Sequence, residues 1–185
     1  MKGNTGFTLL ELMIGIAITG ILVAVAVPSF TAMMKSNEGS SDANQLLTVL
    51  TIARSEAIRR NQTVQICKSK TASASSPVCD GTAAENWSEG VLMWVDQNSD
   101  GAITKNEVLQ TLIPLSTAST ITVSTSGGLA SISYNVDGTV PTGQNTTFKI
   151  YPGTSISTKY ERCVVISQTG KPRITDNATD SSSCS

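Results

Sequence analysis

Apolar positions are distributed very unevenly along this chain. From Phe7 to Val27, 21 consecutive residues carry a single charge, Glu11. As a helix rising ~1.5 Å per residue, that run spans the ~30 Å hydrocarbon core of a bilayer. A secretory signal would have a shorter apolar region of ~7–15 residues followed by a small-residue cleavage site; here the small residue, Gly6, precedes the run. A plain anchor has no use for a carboxylate near its end, because an ionised acid in lipid costs about 2.5–3.5 kcal/mol even on the mild insertion scale. Glu11 therefore calls for a partner.

Beyond the run, Pro28 lacks an amide donor and predicts a kink, after which helical character resumes to about Arg60. Leu46, Leu47, Leu50, Ala53, Ala57 and Ile58 recur at three- and four-residue intervals, an apolar stripe suited to lying on a sheet. Gly39-Ser40-Ser41 reads as the weakest stretch of that helix. From Thr63 the helical period disappears. Short runs rich in Val, Ile, Thr and aromatic residues predict strands at Thr63–Cys67, Val91–Val95, Val108–Ile113, Thr120–Ser124, Ser131–Val136, Thr147–Tyr151 and Cys163–Ser167. Asp137-Gly138 and Pro152-Gly153 mark turns, and Ser69–Ser76 and Asp176–Ser185 read as loop and tail.

Composition narrows the function classes. A chain of 185 residues, 39% hydrophobic and 15% charged, suits one modest globular domain plus an accessory segment. A net charge of −1 argues against coating nucleic acid or anionic membrane through overall charge. The chain has no histidine, which excludes Ser-His-Asp and Cys-His catalysis and removes the commonest metal ligand. The expectation is a protein that is not an enzyme.

The stretch Lys2-Gly3-Asn4-Thr5-Gly6-Phe7-Thr8-Leu9-Leu10-Glu11-Leu12 resembles the prepilin peptidase motif of type IV pilins and type II secretion pseudopilins. The resemblance implies cleavage between Gly6 and Phe7, N-methylation of Phe7, and pairing of Glu11 with the N-terminal amine of a neighbouring subunit during filament assembly. It also implies an α+β pilin fold: a long N-terminal helix, half membrane-spanning and half amphipathic, packed on an antiparallel β-rich head. The corresponding division is residues 1–6 as leader, 7–28 as transmembrane and assembly helix, 29–61 as its amphipathic half and 62–185 as a periplasmic head. Ala53-Arg54-Ser55-Glu56-Ala57, the turn Trp94–Gly101, the turn Tyr134–Gly138 and the closing Cys163–Arg173 resemble the FimT/FimU-type minor pilins and GspH-type minor pseudopilins. That branch implies a low-copy subunit that primes or caps assembly near the filament tip. Its implied partners are other minor and major pilins, the prepilin peptidase, the assembly platform and lipid of the bacterial inner membrane, and, in some relatives, DNA.

Three further residue sets carry chemistry. Cys67, Cys79, Cys163 and Cys184 allow three pairings, and export of the head permits oxidation. Pairing Cys67 with Cys79 staples a polar loop, and pairing Cys163 with Cys184 ties down the Ser-rich tail; close Cys-x-x-Cys spacing for zinc is missing. The segment Asp96–Glu107 matches the calcium-loop pattern, with Asp96, Asn98, Asp100, the carbonyl of Ala102 and Glu107 as ligands and Gly101 at the tight turn. Its strand-like flanks fit equally an Asx-rich hairpin that caps its own amides. Calcium is thus the one cofactor candidate. Lys149, Lys159, Arg162, Lys171 and Arg173 gather in the last third, five of the thirteen Lys and Arg. Lys171 and Arg173 stand where some FimT-like minor pilins carry a DNA-contacting Gly-Arg-x-Arg motif; the alternative is a charged edge that discourages strand pairing.

Overall fold

The computed structural model describes residues 8–72, 74–80, 87–112, 119–125, 131–142, 145–153 and 160–176. One helix, α1 (Leu9–Arg60), runs for 52 residues, about 78 Å at the standard rise. Thr8 caps its first turn. At the far end Asn61 takes the left-handed conformation, φ 53°, and its N–H returns to the carbonyls of Ala57 and Ile58. Arg59 and Arg60 in the last turn complement the helix dipole and both reach Glu56, whose carboxyl they pull down to about 2. The helix continues unbroken through Pro28, and the Thr31 hydroxyl donates to the Pro28 carbonyl at 3.0 Å.

Among the described residues eight strands follow: β1 (Val64–Lys68), β2 (Val91–Trp94), β3 (Val108–Leu112), β4 (Ser119–Thr125), β5 (Ser131–Tyr134), β6 (Thr146–Pro152), β7 (Arg162–Ile166) and β8 (Pro172–Asp176). They form two antiparallel four-stranded sheets, ordered β3-β2-β1-β5 and β4-β6-β7-β8. Both sheets pack on the second half of α1. The alternation of β-branched and aromatic positions explains which face turns inward: Ile132 and Tyr134 of β5, and Phe148 and Ile150 of β6, join Leu46, Val49, Leu50, Ala53 and Ala57 of α1 in one core. Trp87, in a 3-10 turn, meets Phe148 edge-on at 5.3 Å.

Strand β2 is buried on both faces. Val91 and Met93 enter the main core, while Leu92 and Trp94 join Cys67 in a second cluster covered by Ile103 and Val108. The loop between β2 and β3 therefore closes over the outer face of the first sheet.

The apolar stripe of α1 departs from the sequence reading at two places. Ile58 is 51% exposed, and Val49, outside the predicted stripe, takes a core position; the helix period carries Ile58 past the edge of the buried arc. Gly39 is a packing device rather than a weak point. A Cβ there would lie 2.7 Å from Cγ of Pro152, so glycine lets β6 approach the helix. Beside it, Asp42 is 2% exposed with Oδ2 unpartnered, and burial pushes its carboxyl above the usual range. β8 was unanticipated as a strand. Pro172 opens it and Lys171 precedes it, and both are tolerated because β8 lies at a sheet edge.

Candidate assembly helix and head surfaces

Among the described residues nothing covers the first half of α1: its apolar stretch is unburied, and Leu9, Leu10, Leu12, Met13 and Ile14 are all exposed. Glu11 sits in its first turn. The Thr8 amide and hydroxyl both donate to Oε2 of Glu11 at 3.0 Å, and the Glu11 amide donates to the Thr8 hydroxyl oxygen at 3.2 Å. This reciprocal pair is a capping box. The sequence reading treated Glu11 only as an unpaired carboxylate; Thr8 three residues before it was the missed signal. Glu11 also lines a shallow groove of about 670 Å³ along the helix with Leu12, Gly15, Ile16, Thr19, Gly20 and Val23. The glycines open that groove, and the Thr19 hydroxyl is turned back onto the Gly15 carbonyl at 2.8 Å. Gly6 and Phe7 lie outside the described residues.

At the other end of α1, three motifs that are remote in sequence meet. Arg54 donates from Nε to the Gly138 carbonyl at 3.0 Å and from a terminal nitrogen to the Thr169 carbonyl at 3.4 Å. Gly138 and Gly170 have φ of +76° and +74°, and a Cβ on Gly170 would lie 1.8 Å from the Gly138 oxygen. Two tight turns are thus stacked backbone to backbone and clamped by one guanidinium, which matches carbonyl oxygens in a fork. Below them, burial pushes the Tyr134 phenol up, against the pull of the Arg54 charge.

The Asp96–Glu107 segment is a hairpin loop between strands, stitched by its own carboxylates. Glu107, 4% exposed, accepts from the amides of Gln97 and Thr104 at 3.0 Å and from the Thr104 hydroxyl at 2.7 Å. Asp96 accepts from the Gly101 amide at 3.0 Å, and Asp100 from the Ala102 amide at 2.7 Å and the Asn98 side chain. Hydrogen bonds from Thr104, then from Gln97 and Asn98, hold the Glu107 carboxyl below its ordinary range. Among the described residues no group of three or more acidic, Cys or His side chains gathers into a metal-holding cluster. The five ligands expected from the sequence, Asp96, Asn98, Asp100, Ala102 and Glu107, are not gathered into such a cluster in this arrangement: both Glu107 oxygens accept from the loop's own donors, while Asp96 Oδ1 is buried without a hydrogen-bond partner.

Cys67 and Cys79 form a disulfide, with Cα atoms 5.6 Å apart, that ties β1 to the following loop. Cys163 is disulfide-bonded, and Cys184 lies outside the described residues. The basic set divides. Arg162 faces α1 and donates to the Ser36 hydroxyl at 3.2 Å, Lys149 lies on β6, and Lys159 is outside the described residues. Lys171 and Arg173, two residues apart and both exposed, lie on the β7–β8 hairpin that the Arg54 clamp holds.

A long apolar helix, exposed among the described residues and with a carboxylate in its first turn, thus continues into a two-sheet head. The chain belongs to the family described as type II transport protein GspH, whose pattern matches residues 42–170, and its residues 1–27 match the prokaryotic N-terminal methylation motif. It is a minor pilin or pseudopilin of the FimT/FimU/GspH branch, of the type IV pilus or type II secretion kind. Two fimbrial proteins of Pseudomonas aeruginosa are 28% identical to it over 103 residues, which is 56% of this chain and 66%, just under two thirds, of theirs. In fold it is similar to the type IV minor pilin FimU of P. aeruginosa, with a TM-score of 0.56 and 23% identity over 75% of this chain and 89% of that one. It is similar likewise to the minor pseudopilin EpsH of the Vibrio cholerae type 2 secretion system, with a TM-score of 0.52 and 12% identity over 76% and 98%.

Proposed function

We propose that this chain is a non-enzymatic minor pilin that primes or caps a type IV pilus through helix–helix and head–head contacts. Before assembly it spans the bacterial inner membrane once, with residues 62–185 in the periplasm, and afterwards it sits near the filament tip. Prepilin peptidase cuts after Gly6, Phe7 is N-methylated, and the assembly platform draws the helix out of lipid. The observation that carries this reading is the bare apolar half of α1 with Glu11 at the head of its groove. A lone carboxylate near lipid is destabilised by about 2.5–3.5 kcal/mol, so a cation brought by a neighbouring subunit favours docking into a helix bundle. The Thr8 bonds fall on Oε2, which leaves Oε1 to meet that cation while the cap persists. Deleting the gene and counting surface filaments by electron microscopy tests the role. Priming predicts few filaments with normal cellular levels of the major subunit, and wild-type filament numbers would contradict it.

A second reading, a DNA-binding tip subunit for transformation, is favoured by Lys171 and Arg173 side by side on an exposed hairpin. Phosphate contacts release counterions, so such binding must fall steeply with salt and be lost in Lys171→Ala/Arg173→Ala. Salt-insensitive or absent binding rejects it. A third, a minor subunit of type II secretion, draws support from the fold shared with EpsH. Secretion of a substrate by the deletion strain decides against or for it.

A further inference from the structure

Asp42 is a carboxyl that the assembly role does not use. It lies on α1 one turn beyond Gly39, is 2% exposed, and has Oδ2 shielded from solvent without a hydrogen-bond partner. Ser119, the first residue of β4, lies beside it, also buried, and its hydroxyl is likewise unpartnered. Among the described residues no cation pairs with Asp42. On its own helix, Glu38 one turn earlier adds like charge, and Lys35 two turns earlier is exposed. From β7, Arg162 turns to the Ser36 hydroxyl at 3.2 Å. From β6, Pro152 packs on Gly39, while Tyr151 follows core-facing Ile150 and so turns outward, where it interacts with Glu161. Burial is the largest influence and lifts the Asp42 carboxyl above its ordinary range; the Ser119 hydroxyl draws it down and the Glu38 charge lifts it further.

An ionised carboxylate enclosed in this way has neither a cation nor water, so one of its neighbours must give. Gly39 holds β6 hard against the helix through Pro152, whereas β4 is an edge strand bonded to β6 alone. The Ser119 end of β4 is therefore the element that yields most readily. We propose that Asp42 is a proton-operated latch: protonated, it keeps the Ser119 end of β4 closed on α1, and ionised, it lets that end lift and admit water. A carboxyl that binds its proton more tightly in the folded state contributes its full stability below the unfolded value of about 3.9 and loses it as pH rises through the folded midpoint. Glu107 responds in the opposite direction and in a different place, the β2–β3 loop, so the two effects are separable.

The full-length protein in detergent micelles, labelled with ¹³C at the Asp carboxyls, gives a side-chain signal for Asp42 that Asp42→Asn assigns. Its midpoint is expected above about 3.9, and higher still in Ser119→Ala, which removes the hydroxyl that lowers it. Hydrogen exchange, corrected for its intrinsic pH dependence, is then compared one unit below and one unit above that midpoint. On the way up, the β4 amides are expected to lose protection roughly tenfold, the weight of one unmet buried polar group, while β1 keeps its protection. Asp42→Asn shows no such loss. A midpoint at or below about 3.9 overturns the latch, as does unchanged β4 protection in the wild type, an equal loss in β1, or the same loss in Asp42→Asn. Should Asp42→Asn fail to fold, Ser119→Ala assigns the signal by its movement and must carry the onset of the β4 loss to the same higher pH; an onset that stays in place overturns the latch.

Discussion

Gly101 and Gly170 share nearly the same backbone, with φ of +72° and +74°, but differ in what a methyl group would meet. At Gly101 nothing lies within 4 Å; at Gly170 the new Cβ would be 1.8 Å from the Gly138 oxygen, 2.9 Å from its carbonyl carbon and 3.2 Å from the Thr139 Cα. Alanine at either site removes the same freedom from the unfolded chain and is forced into the same left-handed conformation, a cost of about 1–2 kcal/mol partly offset by 0.4–1 kcal/mol. Gly101→Ala is therefore expected to destabilise by about 1 kcal/mol. Gly170→Ala must also push two turns apart. That breaks the Arg54 bonds to Gly138 and Thr169 and the Val140 amide bond to the Gln168 carbonyl at 3.2 Å. At ~1 kcal/mol per hydrogen bond the total is about 3–5 kcal/mol. Thermal unfolding of the full chain in micelles, followed by the near-ultraviolet signal of the head tryptophans, should show Tm lower by about 10–15 °C for Gly170→Ala and by only a few degrees for Gly101→Ala. Equal shifts would refute the stacked-turn account, since backbone conformation alone would then explain both.

Glu107 is held below its ordinary pKa, so its contribution to stability is present above the unfolded value and is lost as pH falls through the folded one. Acid titration of Tm should accordingly lose one carboxylate's worth of pH dependence in Glu107→Gln. Millimolar calcium, tested against magnesium, should leave Tm unchanged while the loop amides occupy Glu107; a calcium-specific rise lost in Asp96→Ala would show that the loop rearranges around a cation. A non-reducing peptide map should find Cys163 linked to Cys184 beside the Cys67–Cys79 bridge, and a Cys67–Cys184 peptide would overturn that pairing. Gly6→Val should accumulate as uncleaved precursor, and a mature chain beginning at methylated Phe7 in that mutant would displace the cut from Gly6.

Local pattern carried the sequence reading a long way. The apolar run to Val27, the spacing of Leu46, Leu50, Ala53 and Ala57, and the alternation in β5 and β6 are local signals, and the structure places the described part of the run, from Leu9, as an exposed helix and the others as a buried stripe and two core-facing strands. What escaped was produced by contacts between remote segments. Gly39 reads as a weak helical residue until Pro152 is seen against it, and Gly170 as a loop residue until Gly138 lies on top of it. Arg54, in a motif noticed only as a resemblance, gains its role from carbonyls 84 and 115 residues away. Nor can spacing tell that Arg162 turns toward Ser36 while Lys171 and Arg173 stay exposed. The calcium pattern was legible as a ligand list, but only three-dimensional geometry shows that both Glu107 oxygens and one oxygen each of Asp96 and Asp100 serve amides within the loop while Asp96 Oδ1 has no partner.

The central claim is that Glu11 serves docking between subunits and not insertion into the membrane. Its direct test is to express Glu11→Ala in a strain lacking the wild-type gene, separate inner membranes from sheared filaments, and quantify the subunit in each by immunoblot with mass-spectrometric confirmation of the mature N-terminus. The account predicts a processed protein at wild-type level in the membrane fraction and a severe loss from filaments, because the other twenty residues from Phe7 to Val27 suffice to span the bilayer. Glu11→Ala recovered in filaments at the wild-type ratio would contradict it.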